Sequence, residues 1–254
     1  MPIAINREVS PAINRCELTH LQRQSIDVAL AQRQHTAYTE CLRALGCDVR
    51  QLPAEADLPD SVFVEDIAIV LDEIAVITRP GAESRRPERE SIAAALKPHR
   101  RLAHIQTPAT LDGGDVLRVG NAFYVGVSSR SNMAGVEQLH QIVDPFGYTV
   151  AAVAVQDCLH LKSAVTQVAV NTLLLNPAWI DVGIFGGMRL IEIVPSEPLA
   201  ANALLIGKTV IYSTAYPKTR RRMEMAGIDV RAVDVSELTK AEGAVTCCSL
   251  IFNT

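Results

Sequence analysis

A thiol, an imidazole and several carboxylates recur at regular intervals along this chain. Asp112 follows Glu65 by 47 residues, His160 follows Asp112 by 48, and Cys247 follows His160 by 87. Each stands at the head of a strand-like apolar run, where another apolar residue is expected; Asp66 accompanies Glu65 in the run VFVEDIAIV. A thiol, a group that moves protons and a carboxylate that orients it make up the minimal set for covalent nucleophilic catalysis. In isolation each residue has a blander reading. A cysteine in TCCSLIF can be a small buried strand residue, a lone histidine is usually satisfied in a core, and adjacent acids usually lie in a solvated loop. The common spacing separates these residues from the other cysteines and histidines, because equivalent positions of a repeated fold converge in space.

The repeat is visible in the elements themselves. From Asp115 the chain reads as a short apolar strand, a glycine turn, a second strand, a helical stretch and a third strand, and the same order returns from Ala201, with Gly207 matching Gly120 and Gly227 matching Gly147. A third copy opens at Glu65 and a more degenerate fourth at His160. The remaining pieces are the helix near Ile26–Leu45, the strand CDVRQLP after it and the C-terminal run TCCSLIF, which together supply a fifth. Runs such as VLRV, TLLL and TVIY have strand length and β-branched content. The expectation is an α/β fold: a five-bladed α/β propeller of ββαβ repeats with pseudo-fivefold symmetry. It forms one catalytic domain over residues 1–254, closed by the N- and C-terminal segments, with each sheet buried under its own helix. Closure of the ring from both chain ends hides sheet edges, and equivalent blade positions meet around its axis.

Composition fits such a domain. Of 254 residues, 48% are hydrophobic and 20% charged, the balance of an ordinary soluble globular protein, so disorder is excluded as a default. The net charge of −4 provides no footprint for a polyanion, which sets nucleic acid aside. The N-terminal residues lack the apolar run of a signal peptide, and no later stretch has membrane-spanning length, which predicts a cytoplasmic protein without a membrane partner. The six cysteines show no CxxC and no zinc-type spacing, so neither a disulfide framework nor a bound metal or other cofactor is expected. Cys247 and Cys248 cannot both face one ion, since strand residues alternate sides.

Five segments, in order, carry a more specific likeness: PDSVFVED (59–66), RPGAESRR (79–86), LDGGDVLRVG (111–120), LHLKSA (159–164) and TCCSL (246–250). Together they resemble the motifs of the dimethylarginine dimethylaminohydrolases, over essentially the whole chain. That resemblance implies the five-bladed α/β propeller of guanidine-modifying enzymes and hydrolysis of Nω-methylated arginines to citrulline and an amine, through a covalent thiouronium intermediate. It implies Cys247 as nucleophile, His160 as general acid and base, and Asp112 as the carboxylate that orients the imidazole, where some relatives use Glu. It further implies Asp60, Glu65 and Asp66 as the acids that receive the guanidinium, Arg85 and Arg130 as the residues that grip the α-carboxylate, and the backbone carbonyls of Leu18 and Ala241 as partners of the α-amino group. The loop around Leu18 is implied to be a lid. Pro87 and Ser131 depart from the pattern, and Glu242 stands near the α-amino end, where it could alter substrate preference.

Related chemistries share this equipment. A compact arginine deiminase, an agmatine deiminase or an amidinotransferase would use the same thiol, imidazole and acids, although Arg85 and Arg130 favour an α-amino acid over agmatine. A non-catalytic propeller acting as a binding or assembly protein is the reading from a different class, disfavoured by the joint presence of Cys247, His160 and Asp112. The expected partner is a small-molecule substrate, and an oligomer is compatible with the sequence.

Overall fold

The computed structural model describes residues 1–253. In chain order its main elements are β1 (Ile3–Arg7), α1 (Val28–Ala44) and β2 (Asp48–Leu52); β3 (Ala68–Val70), β4 (Ala75–Ile77), α2 (Glu88–Leu96) and β5 (Leu102–His104); β6 (Val116–Val119), β7 (Ala122–Val127), α3 (Met133–Val143) and β8 (Thr149–Ala154). Then follow the single-turn helix α4 (Leu161–Ala164), β9 (Val165–Ala169), β10 (Thr172–Leu175) and β11 (Arg189–Glu192); β12 (Ala203–Ile206), β13 (Thr209–Ser213), α5 (Pro217–Met225) and β14 (Asp229–Val233); and finally α6 (Ser236–Thr239) and β15 (Leu250–Phe252).

These strands form five three-stranded sheets, β15-β1-β2, β3-β4-β5, β6-β7-β8, β9-β10-β11 and β12-β13-β14. In each, the first two strands are antiparallel and the third runs parallel to the second. This is the expected ββαβ unit repeated around a ring. The ring closes where Ile3, Ala4 and Ile5 pair with Phe252, Ile251 and Leu250, so the two ends of the chain share one blade. The repeat extends to conformation: Gly120 and Gly207 turn their hairpins at φ 59° and 61°, and Asn171 holds the corresponding turn of the degenerate copy at 51°.

Local sequence accounts for the helices. Asp27 caps α1 by accepting from the Leu30 N–H, and Asn132 caps α3 by accepting from the Gly135 N–H, each satisfying a donor that the helix cannot. The fourth blade differs from expectation: between β10 and β11 the chain makes only a 3₁₀ turn, Val182–Phe185. Pro177, Gly183, Gly186 and Gly187 interrupt that segment, and such residues disfavour a continuous helix.

Five apolar clusters lie at the five junctions between neighbouring blades. The largest joins Tyr38 and Leu42 of α1 to Ile211, Val233 and Leu238, and includes Cys248. Leu42 is fully buried. Its truncation to Ala would cost about 2–5 kcal/mol, because the ring cannot collapse into the hole without moving two blades. No helix among the described residues is long and apolar enough to cross a membrane.

Candidate active site

The first strand of each blade is preceded by a short turn, and these turns carry the residues that the sequence singles out. Glu65 and Asp66 lie in the 3₁₀ turn before β3, Asp112 immediately precedes the 3₁₀ turn Gly113–Asp115 leading to β6, and His160 precedes α4, which leads to β9. Asn202 stands just before β12, and Thr246 and Cys247 before β15. Fivefold repetition therefore gathers side chains from across the sequence.

His160 is clamped between two acids. Its Nε2 lies 3.1 Å from Asp112 Oδ2, and its Nδ1 lies 3.8 Å from Asp66 Oδ1. Burial works against a charged imidazole here, but the carboxylates of Asp66 and Asp112 outweigh it and raise His160 to about 9, so the ring is an imidazolium at neutral pH. Burial alone would raise Asp66 as well; His160 and Arg85 instead hold it below the usual carboxylate range. The Gly114 N–H donates to Asp66 Oδ1 at 3.0 Å. A Cβ at Gly114 would lie 2.5 Å from the imidazole Nδ1, which explains why the motif needs a glycine beside its acids.

Cys247 is half-buried and lines a small cleft together with Asp60, Asp66, Arg85, Arg130, His160 and Ala241. Its thiol is pushed up to about 12, first by burial and then by the carboxylates of Glu65 and Asp66. The cleft thus places a neutral thiol beside an imidazolium, one proton more than a thiolate–imidazolium pair.

Not every expected residue faces this cleft. Glu65 turns to Lys162 Nζ at 2.5 Å and accepts the Thr246 hydroxyl at 2.7 Å, and with Lys162 it lines a separate pocket among the first strands of the five blades. It is a neutralised partner in that ion pair and is not a wall of the cleft. Asp60 borders the cleft but accepts from the Glu17 N–H at 3.1 Å, and burial raises its pKa. Leu18 is half-buried in the loop above, packed against the cluster that includes α1.

The two arginines are also unequal. Arg85 is 4% exposed. It donates to Asp66 Oδ2 at 2.5 Å, to both oxygens of Glu88 at 3.1 and 2.9 Å, and to the carbonyls of Asp60 and Phe63. These five bonds occupy Nε, both hydrogens of Nη2 and one of the two on Nη1, which leaves little for an incoming carboxylate. Arg130 is half-buried and its guanidinium makes one side-chain hydrogen bond, to Thr19 Oγ at 2.9 Å.

Several residues that position the site escaped the sequence reading. The buried Asp115 accepts the Leu161 N–H at 2.9 Å and the hydroxyls of Ser131 and Ser128 at 2.7 and 2.6 Å. Ser131 Oγ in turn accepts the Asp112 N–H, and Ser128 Oγ accepts the Arg130 N–H. One carboxylate, raised to about 6 mainly by burial, therefore anchors the chain beside His160, Asp112 and Arg130 at once. Asn202 completes the ring by donating to Thr246 Oγ and accepting the Thr246 N–H. Its place at the head of the fifth repeat was a usable signal. Glu88 carried none, since its partner Arg85 is fixed by tertiary packing.

Asp66, Asp112 and His160 each present a ligand atom within 4.8 Å of the others. A cation there would have to displace the His160 proton and compete with Arg85 for Asp66, so the donor set suits a proton better than a metal.

Comparison with known proteins gives a consistent result. Residues 3–180 match the family described as "N,N dimethylarginine dimethylhydrolase, eukaryotic". The chain is 40% identical over 252 residues to the N(G),N(G)-dimethylarginine dimethylaminohydrolase of Streptomyces coelicolor, covering 97% of this chain and 95% of that one. It is 37% identical over 228 residues to the Pseudomonas aeruginosa protein of the same name, covering 89% and 90%. The solved structure of a cysteine-to-serine mutant of the Pseudomonas aeruginosa enzyme, complexed with citrulline, superposes with a TM-score of 0.94 at 35% identity over 98% of both chains.

Proposed function

This chain belongs to the dimethylarginine dimethylaminohydrolase family, which hydrolyses methylated arginines, and on that premise we propose a role for each residue of the cleft. The supporting observation is that Cys247, the His160 imidazolium and Asp66 line one small cavity with Arg130 at its edge. Asymmetric dimethylarginine or monomethylarginine enters with its guanidinium toward Asp66 and its α-carboxylate toward Arg130. The backbone carbonyls of Leu18 and Ala241 receive the α-amino group, and Asp60 adds negative charge. Arg85 acts through Asp66, which it holds ionised, and Glu65 through Thr246, which it anchors beside the nucleophile.

The substrate cation supports its own attack. A unit positive charge about 4 Å from the sulfur, at an effective dielectric of roughly 20, stabilises the thiolate by about 4 kcal/mol, or about three pKa units. That brings a thiol near 12 within reach of physiological pH, with the imidazolium adding to the effect. The Cys247 thiol gives up its proton to solvent, since His160 is already protonated; the sulfur then bonds to the guanidinium carbon, and the C–N bond to the methylated nitrogen breaks as His160 protonates the departing amine. Dimethylamine or methylamine leaves, and a thiouronium remains on Cys247. His160, now neutral and held by Asp112, takes a proton from water as its oxygen attacks the same carbon; the C–S bond breaks, and citrulline leaves with the thiol restored.

The same proposal includes a single catalytic unit over the chain, a cytoplasmic address and no nucleic-acid or membrane partner. Its test is a parallel assay of citrulline and amine release from asymmetric dimethylarginine, monomethylarginine, arginine and agmatine, with Cys247→Ser as control. Citrulline with dimethylamine, absent in the variant, is the expected result. Reaction of arginine alone would make the protein a compact deiminase, and reaction of none would favour the binding-protein reading.

A further inference from the structure

Glu242 occupies a backbone position built for glycine. Three helices of this chain end in the same pattern, in which a residue just beyond the helix turns left-handed while the next amide reaches back five residues. After α1 the left-handed residue is Gly46, with the Cys47 N–H donating to Leu42 O; after α5 it is Gly227, with the Ile228 N–H donating to Met223 O. After α6 the Gly243 N–H donates to Leu238 O and the Glu242 N–H to Thr239 O, but the left-handed residue, at φ 59°, is Glu242. Glycine is favoured there because any Cβ is strained. A glutamate in its place is a local cost that some tertiary contact must offset.

That contact is the loop above the cleft. The Glu242 carboxylate accepts three successive backbone N–H groups, from Thr19 at 2.8 Å, His20 at 2.5 Å and Leu21 at 2.6 Å. Successive amides converging on one anion form a cradle whose bonds are strengthened by the full charge. The other ties of this loop are the Glu17 N–H to Asp60, the Ser84 hydroxyl to Glu17 and the Arg130 guanidinium to Thr19. The last of these competes with the substrate carboxylate for Arg130; the Glu242 tie does not.

We propose that Glu242 is the latch that holds the Glu17–Leu21 loop closed over the cleft, and that it fixes the Leu18 carbonyl relative to the Ala241 carbonyl. The second half follows from connectivity: Glu242 is bonded to Ala241 in the chain, while its carboxylate grips the three residues that follow Leu18. One side chain thereby sets the spacing of the two carbonyls assigned to the α-ammonium group, a positioning role that rests on the functional reading above. The latch itself, a property of the free protein, does not rest on it.

Glu242→Gly separates the latch from a merely structural role, because it relieves the backbone strain while removing the carboxylate. The expected result is a melting temperature equal to or above that of the unmodified protein, with amide exchange at residues 17–21 faster by about tenfold or more while the rest of the chain is unchanged. KM for the substrate it turns over rises by about tenfold, with a smaller change in kcat. Glu242→Gln, which leaves one acceptor oxygen and places an amide donor among amides, moves exchange and KM in the same direction. Unchanged exchange at 17–21 in both variants overturns the latch, as does a lower melting temperature in Glu242→Gly with faster exchange throughout. Unaltered KM with faster loop exchange overturns the positioning half. Absence of methylarginine hydrolysis in the unmodified protein would refute the functional reading and leave the exchange result to decide the latch.

Discussion

The Nε2 of His160 lies 3.1 Å from Oδ2 of Asp112, a carboxylate with no solvent exposure. A buried acid against a buried imidazole keeps the proton on the ring and fixes the ring plane. Replacing Asp112 by Asn keeps the shape but removes the charge. His160 should then titrate lower, and kcat/KM should fall by roughly 10²–10⁴-fold, as in other enzymes whose catalytic histidine loses its orienting acid. Histidine titration by NMR alongside kinetics checks both; an unmoved His160 with lost activity would contradict the assignment.

The same proton affects stability. The folded pKa of His160, about 9, lies above the ordinary 6.5, so the folded state binds this proton more tightly than the unfolded chain does. Its contribution is complete below about pH 6.5 and is lost as pH rises through about 9. Urea midpoints across that range should decline more steeply in the unmodified protein than in His160→Gln. Glu88, raised to about 7 chiefly by burial, acts mainly between 4.5 and 7 and is common to both proteins.

Cys247 should remain a thiol in the absence of ligand up to strongly alkaline pH. The ultraviolet thiolate absorbance of the protein minus that of Cys247→Ser, followed against pH, should stay flat through neutrality. A non-hydrolysable cationic guanidine should shift its rise downward by about three units, the electrostatic effect of one nearby charge. A thiolate signal at neutral pH without ligand would mean that the thiol is activated by the protein alone.

Arg130 and Arg85 should separate cleanly. Arg130→Ala leaves a folded protein whose KM for an α-amino-acid substrate rises by about tenfold or more, since a charged hydrogen-bonding partner of the carboxylate is gone. Arg85→Ala leaves Asp66 and Glu88 buried without their cation and should cost about 3–5 kcal/mol of stability, read by urea denaturation.

Asp115→Asn should act on parts of the site that it does not touch. Losing an acceptor for the Ser128 and Ser131 hydroxyls loosens Asp112 and Arg130 together, lowering kcat and raising KM. Combined with Ser131→Ala the effects should be strongly less than additive in a double-mutant cycle. Additive effects would mean that the two residues act independently.

The sequence by itself determined the five repeats, the clasp of the two chain ends and the places where chemistry would gather, because strand and helix periodicities are local and a ring brings equivalent positions together. Cys247, His160, Asp112 and Asp66 were legible for that reason, each at the head of a blade. Only the tertiary structure decided what each charge meets. Glu65 and Asp66 are neighbours in one turn, yet one faces Lys162, 97 residues away in sequence, and the other faces His160 and Arg85. Asp115 as the hub of the site, Glu88 as the partner of Arg85 and Glu242 as the anchor of a loop more than 220 residues distant were equally hidden. The physical reason is that a hydrogen bond or ion pair depends on distance and desolvation between groups from different blades, and neither quantity exists until the ring has closed.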